Sequence, residues 1–230
     1  MIRNYAEFVE ALLAAGFSMG GKDKGIYALI PYDWKEQEFL DVPVKWHTGD
    51  PETDPWEWRM RVLDERKDIA YGKVFFRVSG YITRAWYPCF LAVRRGGADV
   101  ETAYAAGKLS QTARDIYALI RDNGVLPLHI IKELGGFGKT DKARFDRALV
   151  ELQMGLFITM CGRQVKRSKK GEEYGWASTA FCTTEDFWGT EVFAEAAALS
   201  GEEAYQRIAA QVLKLNPAAA EKDIKRFITG

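Results

Sequence analysis

Histidine and cysteine are scarce: His47 and His129 are the only histidines of the 230 residues, and Cys89, Cys161 and Cys182 the only cysteines. Two histidines and no CxxC pair leave no metal site to expect, and no cofactor is expected either. No Walker loop, no GxGxxG and no nucleophile motif of the Ser-His-Asp kind can be found. No run approaches the roughly 18 consecutive apolar residues of a membrane span, so no membrane partner is expected. Glu7 and Glu10 sit inside the amphipathic opening of the chain, which argues against a signal peptide. Three isolated cysteines suit reduced thiols in a cytoplasmic protein, with Cys161 and Cys182 facing each other across a hairpin. Neither sign of charge is in excess, with 32 Lys and Arg against 32 Asp and Glu.

What is present is an ordinary globular composition, 47% hydrophobic and 28% charged, in a chain long enough for one large or two small domains. The clearest pattern is helix, helix, helix, hairpin between residues 110 and 188. Ser110 can cap a helix from Gln111 to about Asp122, with Ala113, Ile116, Tyr117 and Ile120 on one face. Pro127 opens a short helix carrying Ile130, Ile131 and Leu134, stopped by Gly135 and Gly136. Thr140 can cap a third, with Phe145, Leu149 and Leu152 inward and Gly155 ending it. Leu156 to Met160 and Trp176 to Cys182 read as the two strands of a hairpin. This is the layout of a winged helix.

Charge is segregated within the neutral total. Residues 139 to 170 hold nine bases and three acids, and Arg163, Lys166, Arg167, Lys169 and Lys170 follow one another without an acid between them. Such a cluster attracts phosphates with little demand on geometry. Lys142, Arg144 and Arg147 lie off the stripe of Phe145, Leu149 and Leu152, so the third helix offers them to a major groove while the hairpin tip touches the backbone. The expected partner is double-stranded DNA; a protein-interaction role is the alternative, since exposed basic turns are often only solvated.

The first hundred residues have the opposite balance, eleven acids against six bases between Asp33 and Asp68. Asn4 can cap a helix from Tyr5 to Ala15 closed by Gly16; Gly25 to Pro31 and Gly72 to Val78 read as strands; Trp56 to about Ile69 and Tyr81 to about Val93 read as helices. Tryptophans and acids interleave around residues 46 to 59. In one reading Trp46, His47, Asp50, Trp56, Trp58 and Arg59 wall a small-ligand pocket for a planar ring, with Asp50, Asp54, Glu57 or Asp64 as a general base or electrostatic stabiliser. In the other the tryptophans fill the core and the acids favour a helix N-terminus.

The expected class is α+β, mostly helical: an N-terminal mixed α/β region (residues 1–97), a winged helix-turn-helix unit (98–188) that a short connecting helix from Ala98 to Leu109 opens, and C-terminal helices (189–230) packing on the rest. The last part reads as helices Glu185 to Leu199 and Gly201 to Leu215, with Ser200 and Glu203 forming a capping box, and a final helix starting at Pro217. Its alanine-rich face at 194–198 suits packing on the winged helix.

Several segments carry a family resemblance: Trp56-Glu57-Trp58-Arg59, Ala70-Tyr71-Gly72-Lys73, Gly107-Lys108-Leu109-Ser110, Arg144-Phe145-Asp146-Arg147-Ala148-Leu149 and Tyr174-Gly175-Trp176. Together they resemble a bacterial family related to the AlkZ/YcaQ winged-helix DNA glycosylases. The resemblance implies a winged-helix scaffold and a link to repair of damaged or crosslinked bases, either as a glycosylase relative or as a non-catalytic damage binder. The glycosylases carry a glutamine-x-glutamine or glutamine-x-aspartate pair at the catalytic position. None of Gln37, Gln111, Gln153, Gln164, Gln206 and Gln211 forms one, so no catalytic residue is assigned.

Overall fold

The computed structural model describes residues 2–31, 43–167 and 171–230. Along the chain run α1 (Tyr5–Ala15), β1 (Phe17–Met19), α2 (Pro55–Glu65), β2 (Ile69–Phe75), β3 (Val78–Thr83), α3 (Tyr87–Arg94), α4 (Val100–Ala105) and α5 (Gln111–Asn123). Then follow β4 (Leu126–Pro127), α6 (Leu128–Leu134), a 3-10 turn (Lys139–Asp141), α7 (Lys142–Met154), β5 (Ile158–Arg167), β6 (Glu173–Thr183), α8 (Thr184–Trp188), α9 (Thr190–Ala197), α10 (Gly201–Leu215) and α11 (Glu221–Thr229). The class is α+β, helices around one antiparallel sheet.

That sheet has the order β1-β3-β2-β5-β6-β4. Its seam is the pairing of β2 with β5, where Tyr71 lies opposite Met160. Three cores flank it. Phe17, Phe75, Phe90 and Phe227 meet on one side, with Val192, Ile208 and Val212 of the C-terminal helices. Ile116, Ile120, Ile131, Phe145 and Leu152 fill the winged helix. Phe8, Leu12, Trp58 and Val62 lie under α1 and α2. The C-terminal helices pack mainly against α3 and the N-terminal strands, with Ala196 of the alanine-rich face in that core, and meet the winged helix only where Leu156 joins the same cluster.

Several local expectations hold. Asn4 caps α1 through its side chain, Ser110 caps α5, and Ser200 with Glu203 forms the capping box of α10. Others are corrected. Gly25 to Pro31 is not a strand; it makes isolated bonds, Met19 N–H to the Tyr27 carbonyl and Leu29 N–H to Ser18 Oγ. The helix begun near Trp56 stops at Glu65, and Ile69 already belongs to β2. Gly72 to Val78 is two strands meeting at Phe76 and Arg77, both with positive φ, 49° and 64°. Tyr81 to Thr83 is strand and not helix, since Tyr81 and Ile82 pair with β1 on one side and β2 on the other; cross-strand partners override the helical pattern.

The third helix of the winged unit begins at Lys142, and it is Asp141, not Thr140, whose carboxylate accepts the N–H of Gly138. At its far end Gly155 closes the helix as expected, and the left-handed residue is the next one, Leu156, with φ 58°. Gly155 is needed for a different reason: a Cβ there would lie 2.7 Å from the ring of Phe157. Leu134 faces outward, 51% exposed, while Ile131 on the same helix is buried. Glu185 to Leu199 divides at Gly189, whose φ is 70°, and the last helix starts at Glu221 after a turn in which Asn216 accepts the Ala218 N–H.

Gly16 combines both glycine constraints, a φ of 91° and a would-be Cβ 2.2 Å from the indole of Trp86. Gly16→Ala is expected to lower stability by roughly 3 kcal/mol, from backbone strain and a clash with a packed ring. Urea unfolding checks it; a loss below about 1 kcal/mol would mean the loop relaxes freely.

Candidate nucleic-acid interface

The residues that build the interface are set by what is buried beneath them. β4 pairs with β6, Leu126 opposite Phe181, which ties the segment between α5 and α6 to the hairpin as a winged helix requires. Phe145 and Leu152 are fully buried and Leu149 nearly so. At 3.6 residues per turn, burying that stripe turns Lys142, Arg144 and Arg147 outward, and all three are exposed.

Their charges are engaged to different degrees. Lys142 pairs with Asp146, one turn on, and Arg144 Nη2 lies 2.8 Å from Asp141 Oδ1. Exposed pairs of this kind contribute about 0–1 kcal/mol, so a phosphate can displace the carboxylates at little cost. Arg147 makes no ion pair among the described residues.

The hairpin carries the remaining cations. Arg163, midway along β5, pairs with Asp64 of α2 through both Nε and Nη2. It is thus held against the N-terminal region by a carboxylate from the acidic segment. Lys166 and Arg167 occupy the last positions of β5, opposite Tyr174 and Glu173. The side chains of both, and Lys169 and Lys170 altogether, lie outside the described residues. Two acids, Glu172 and Glu173, follow the cationic run after Gly171 and lower the positive potential of the tip. The sequence signal for the Asp64 contact was only the opposite charge of the two regions.

A bulge in the hairpin between Met160 and Gly162 brings the Cys161 thiol close enough to that of Cys182 for the two to interact. That interaction draws the Cys161 thiol below its ordinary value and pushes Cys182 up, while burial pushes Cys89 up. Limited iodoacetamide treatment should therefore modify Cys161 first, since thiolate is the reactive form. Peptide mapping by mass spectrometry checks this; equal labelling of all three cysteines would refute it.

Around α2, the residues proposed as a pocket part company. Asp54 is fully buried, and its carboxylate accepts the backbone N–H groups of His47 at 3.0 Å, Gly49 at 2.9 Å and Trp56 at 2.8 Å. It caps the helix and shapes the preceding loop, with no oxygen directed to solvent. Asp50 accepts the Glu52 N–H and the Thr53 hydroxyl, which hold its carboxyl below the usual range. Trp58 is fully buried, with its ring centroid 5.1 Å from that of Phe8. Trp56 is 40% exposed, with His47 at 4.8 Å and the guanidinium of Arg59 over its ring. Trp46 is half-buried, beside a cavity of about 10 Å³ that it lines with Pro55 and Tyr81. That volume is about one water's worth. His47, Trp56, Arg59 and Asp50 therefore share one loop-helix junction, and Trp58 faces the core.

Among the described residues no group of three or more His, Cys, Asp and Glu is placed to hold a metal, and no helix is long and apolar enough to cross a membrane.

No curated protein matches the chain. Among solved structures, the Streptomyces sahachiroi DNA glycosylase AlkZ aligns with a TM-score of 0.40 and 10% identity, over 76% of this chain and 50% of that one. The chain spans about half the length of that enzyme. The family model described as "AlkZ related" matches residues 2–229, and the chain therefore belongs to the AlkZ-related family.

Proposed function

We propose that the protein binds duplex DNA through α7 and the hairpin β5–β6, serving DNA repair as a glycosylase relative or as a damage binder without catalysis of its own. The observation that carries this reading is the outward face of α7. Phe145, Leu149 and Leu152 are buried, so the helix that follows the turn of the winged unit presents Lys142, Arg144 and Arg147 together, Arg147 with no carboxylate partner among the described residues. In the usual docking of this fold such a face enters the major groove, and the ribbon beyond it follows the phosphates. The cations Lys166, Arg167, Lys169 and Lys170 supply the second contact, and Arg163 joins them once Asp64 is displaced.

Membership of the AlkZ-related family supports the repair context. The absence of a glutamine-x-glutamine or glutamine-x-aspartate pair favours the damage binder. The test is fluorescence anisotropy with a labelled duplex, comparing wild type with Arg144→Ala/Arg147→Ala. Two lost phosphate or base contacts should weaken binding at least tenfold. Unchanged affinity would remove α7 from the interface.

A further inference from the structure

On the side of the molecule where α3, α7 and α11 all end, a half-enclosed cleft of about 500 Å³ opens. Its lining includes Arg77, Arg94, Arg95, Lys108 and Arg226, and the one acidic side chain among the lining residues is Glu151. Glu151 is already committed, accepting the backbone N–H and the hydroxyl of Ser110 at 3.1 Å and 2.6 Å. Arg95 is balanced by Glu185 at 2.8 Å. Arg77, Lys108 and Arg226 are exposed and make no ion pair among the described residues.

The floor of the cleft is rigid and positive. Arg94 is held by four backbone carbonyls, those of Val74, Met154, Phe227 and Ile228, at 2.7 to 3.0 Å. None of them is a full negative charge, so the cation is fixed in place and not neutralised. One N–H of its Nη2 has no acceptor among the described residues. The rim includes the two-residue turn of Phe76 and Arg77, both left-handed without being glycine, a strained conformation of the kind that gathers at ligand sites. The guanidinium of Arg226 stands 5.3 Å from the centre of the Phe76 ring, which aligns it along the same wall.

We infer that this cleft binds a phosphate monoester, on a ligand the size of a nucleotide, with Arg77, Lys108 and Arg226 as the gripping cations and Arg94 as the fixed charge behind them. Several cations converging on one pocket match a group carrying close to two negative charges better than a diester with one. The volume falls in the range of small-ligand pockets, roughly 300–1,000 Å³. Such a phosphate has two sources, a free nucleotide or the phosphorylated end of a DNA strand. The site is distinct from the outward face of α7, and its test does not depend on duplex binding there.

The experiment is titration calorimetry of the full chain with inorganic phosphate and with adenosine monophosphate. It is accompanied by anisotropy with one oligonucleotide duplex carrying or lacking a 5′-phosphate. Saturable binding of the monophosphate is expected, weakened at least tenfold in Arg77→Ala/Arg226→Ala and unchanged in Lys214→Ala, a surface cation outside the cleft. Binding of the free nucleotide without any gain from the 5′-phosphate identifies the small molecule as the source. A gain with the 5′-phosphate that the double substitution abolishes identifies the strand end. Both side chains are exposed, so the double variant should fold, and its circular dichroism is recorded alongside. No binding of either phosphate and no effect of the strand end would overturn the inference, as would full binding by the double variant.

Discussion

Raising the salt from 50 to 200 mM should weaken duplex binding by roughly 500-fold. Each phosphate neutralised by a lysine or arginine releases condensed counterions, and the logarithm of affinity falls with the logarithm of salt at a slope near −0.9 per contact. The candidate cations are Lys142, Arg144 and Arg147 on α7 and Lys166, Arg167, Lys169 and Lys170 on the hairpin. If about five engage, the slope is about −4.5 and the fourfold change in salt gives the stated loss. The pairs Lys142–Asp146 and Arg144–Asp141 oppose binding only weakly, being exposed. Arg167→Ala/Lys169→Ala should flatten the slope by nearly two, as should Arg144→Ala/Arg147→Ala. Parallel slopes in wild type and both doubles would mean that neither element touches phosphate.

The second large effect concerns stability. Arg94→Met is expected to cost about 3–5 kcal/mol, because several carbonyls lose a charged donor and each left unsatisfied costs roughly 1–3 kcal/mol before relaxation. Four carbonyls from three elements converge on this one guanidinium: Val74 of β2, Met154 of α7, and Phe227 and Ile228 of α11. Without it, carbonyls of β2 and of two helix ends lose a charged donor that reaches all of them at once. Burial lowers the Arg94 pKa to about 10, still far enough above neutrality for the side chain to remain a cation. Arg94→Lys should rescue little, because a single ammonium cannot span acceptors that a planar fork reaches together. Urea unfolding of the two variants measures the effect. A loss below about 1 kcal/mol in Arg94→Met would show that the carbonyls find other donors.

The winged helix was legible in the sequence because its signals are local. Ser110 caps, Pro127 starts, and Phe145, Leu149 and Leu152 repeat at helical spacing, so propensity and periodicity agree. The N-terminal region was harder because its structure is decided by distant partners. Tyr81 and Ile82 have a strand's residue types within a helical pattern, and only their neighbours in β1 and β2 settle the matter. Phe17 to Met19 is a three-residue strand with no alternation to read.

The same limit applies to the site. The outward position of Arg144 and Arg147 follows from the stripe beside them, but nothing in the spacing of Asp64 and Arg163 foretold their pairing across 99 positions. The cluster of tryptophans could not be sorted by composition either. Trp56 and Trp58 are two apart on one helix, which at about 100° per residue sends one to solvent and the other to the core.

The join between Tyr71 and Met160 has a practical corollary for anyone who would work with the winged helix alone. Excised as residues 98–188, the fragment would carry β5 as a bare border, with amide and carbonyl groups that β2 normally occupies. Such borders recruit whatever extended backbone they meet, most readily another copy of themselves. The intact chain supplies its own cover, which makes the N-terminal half a built-in guard against self-association of the hairpin.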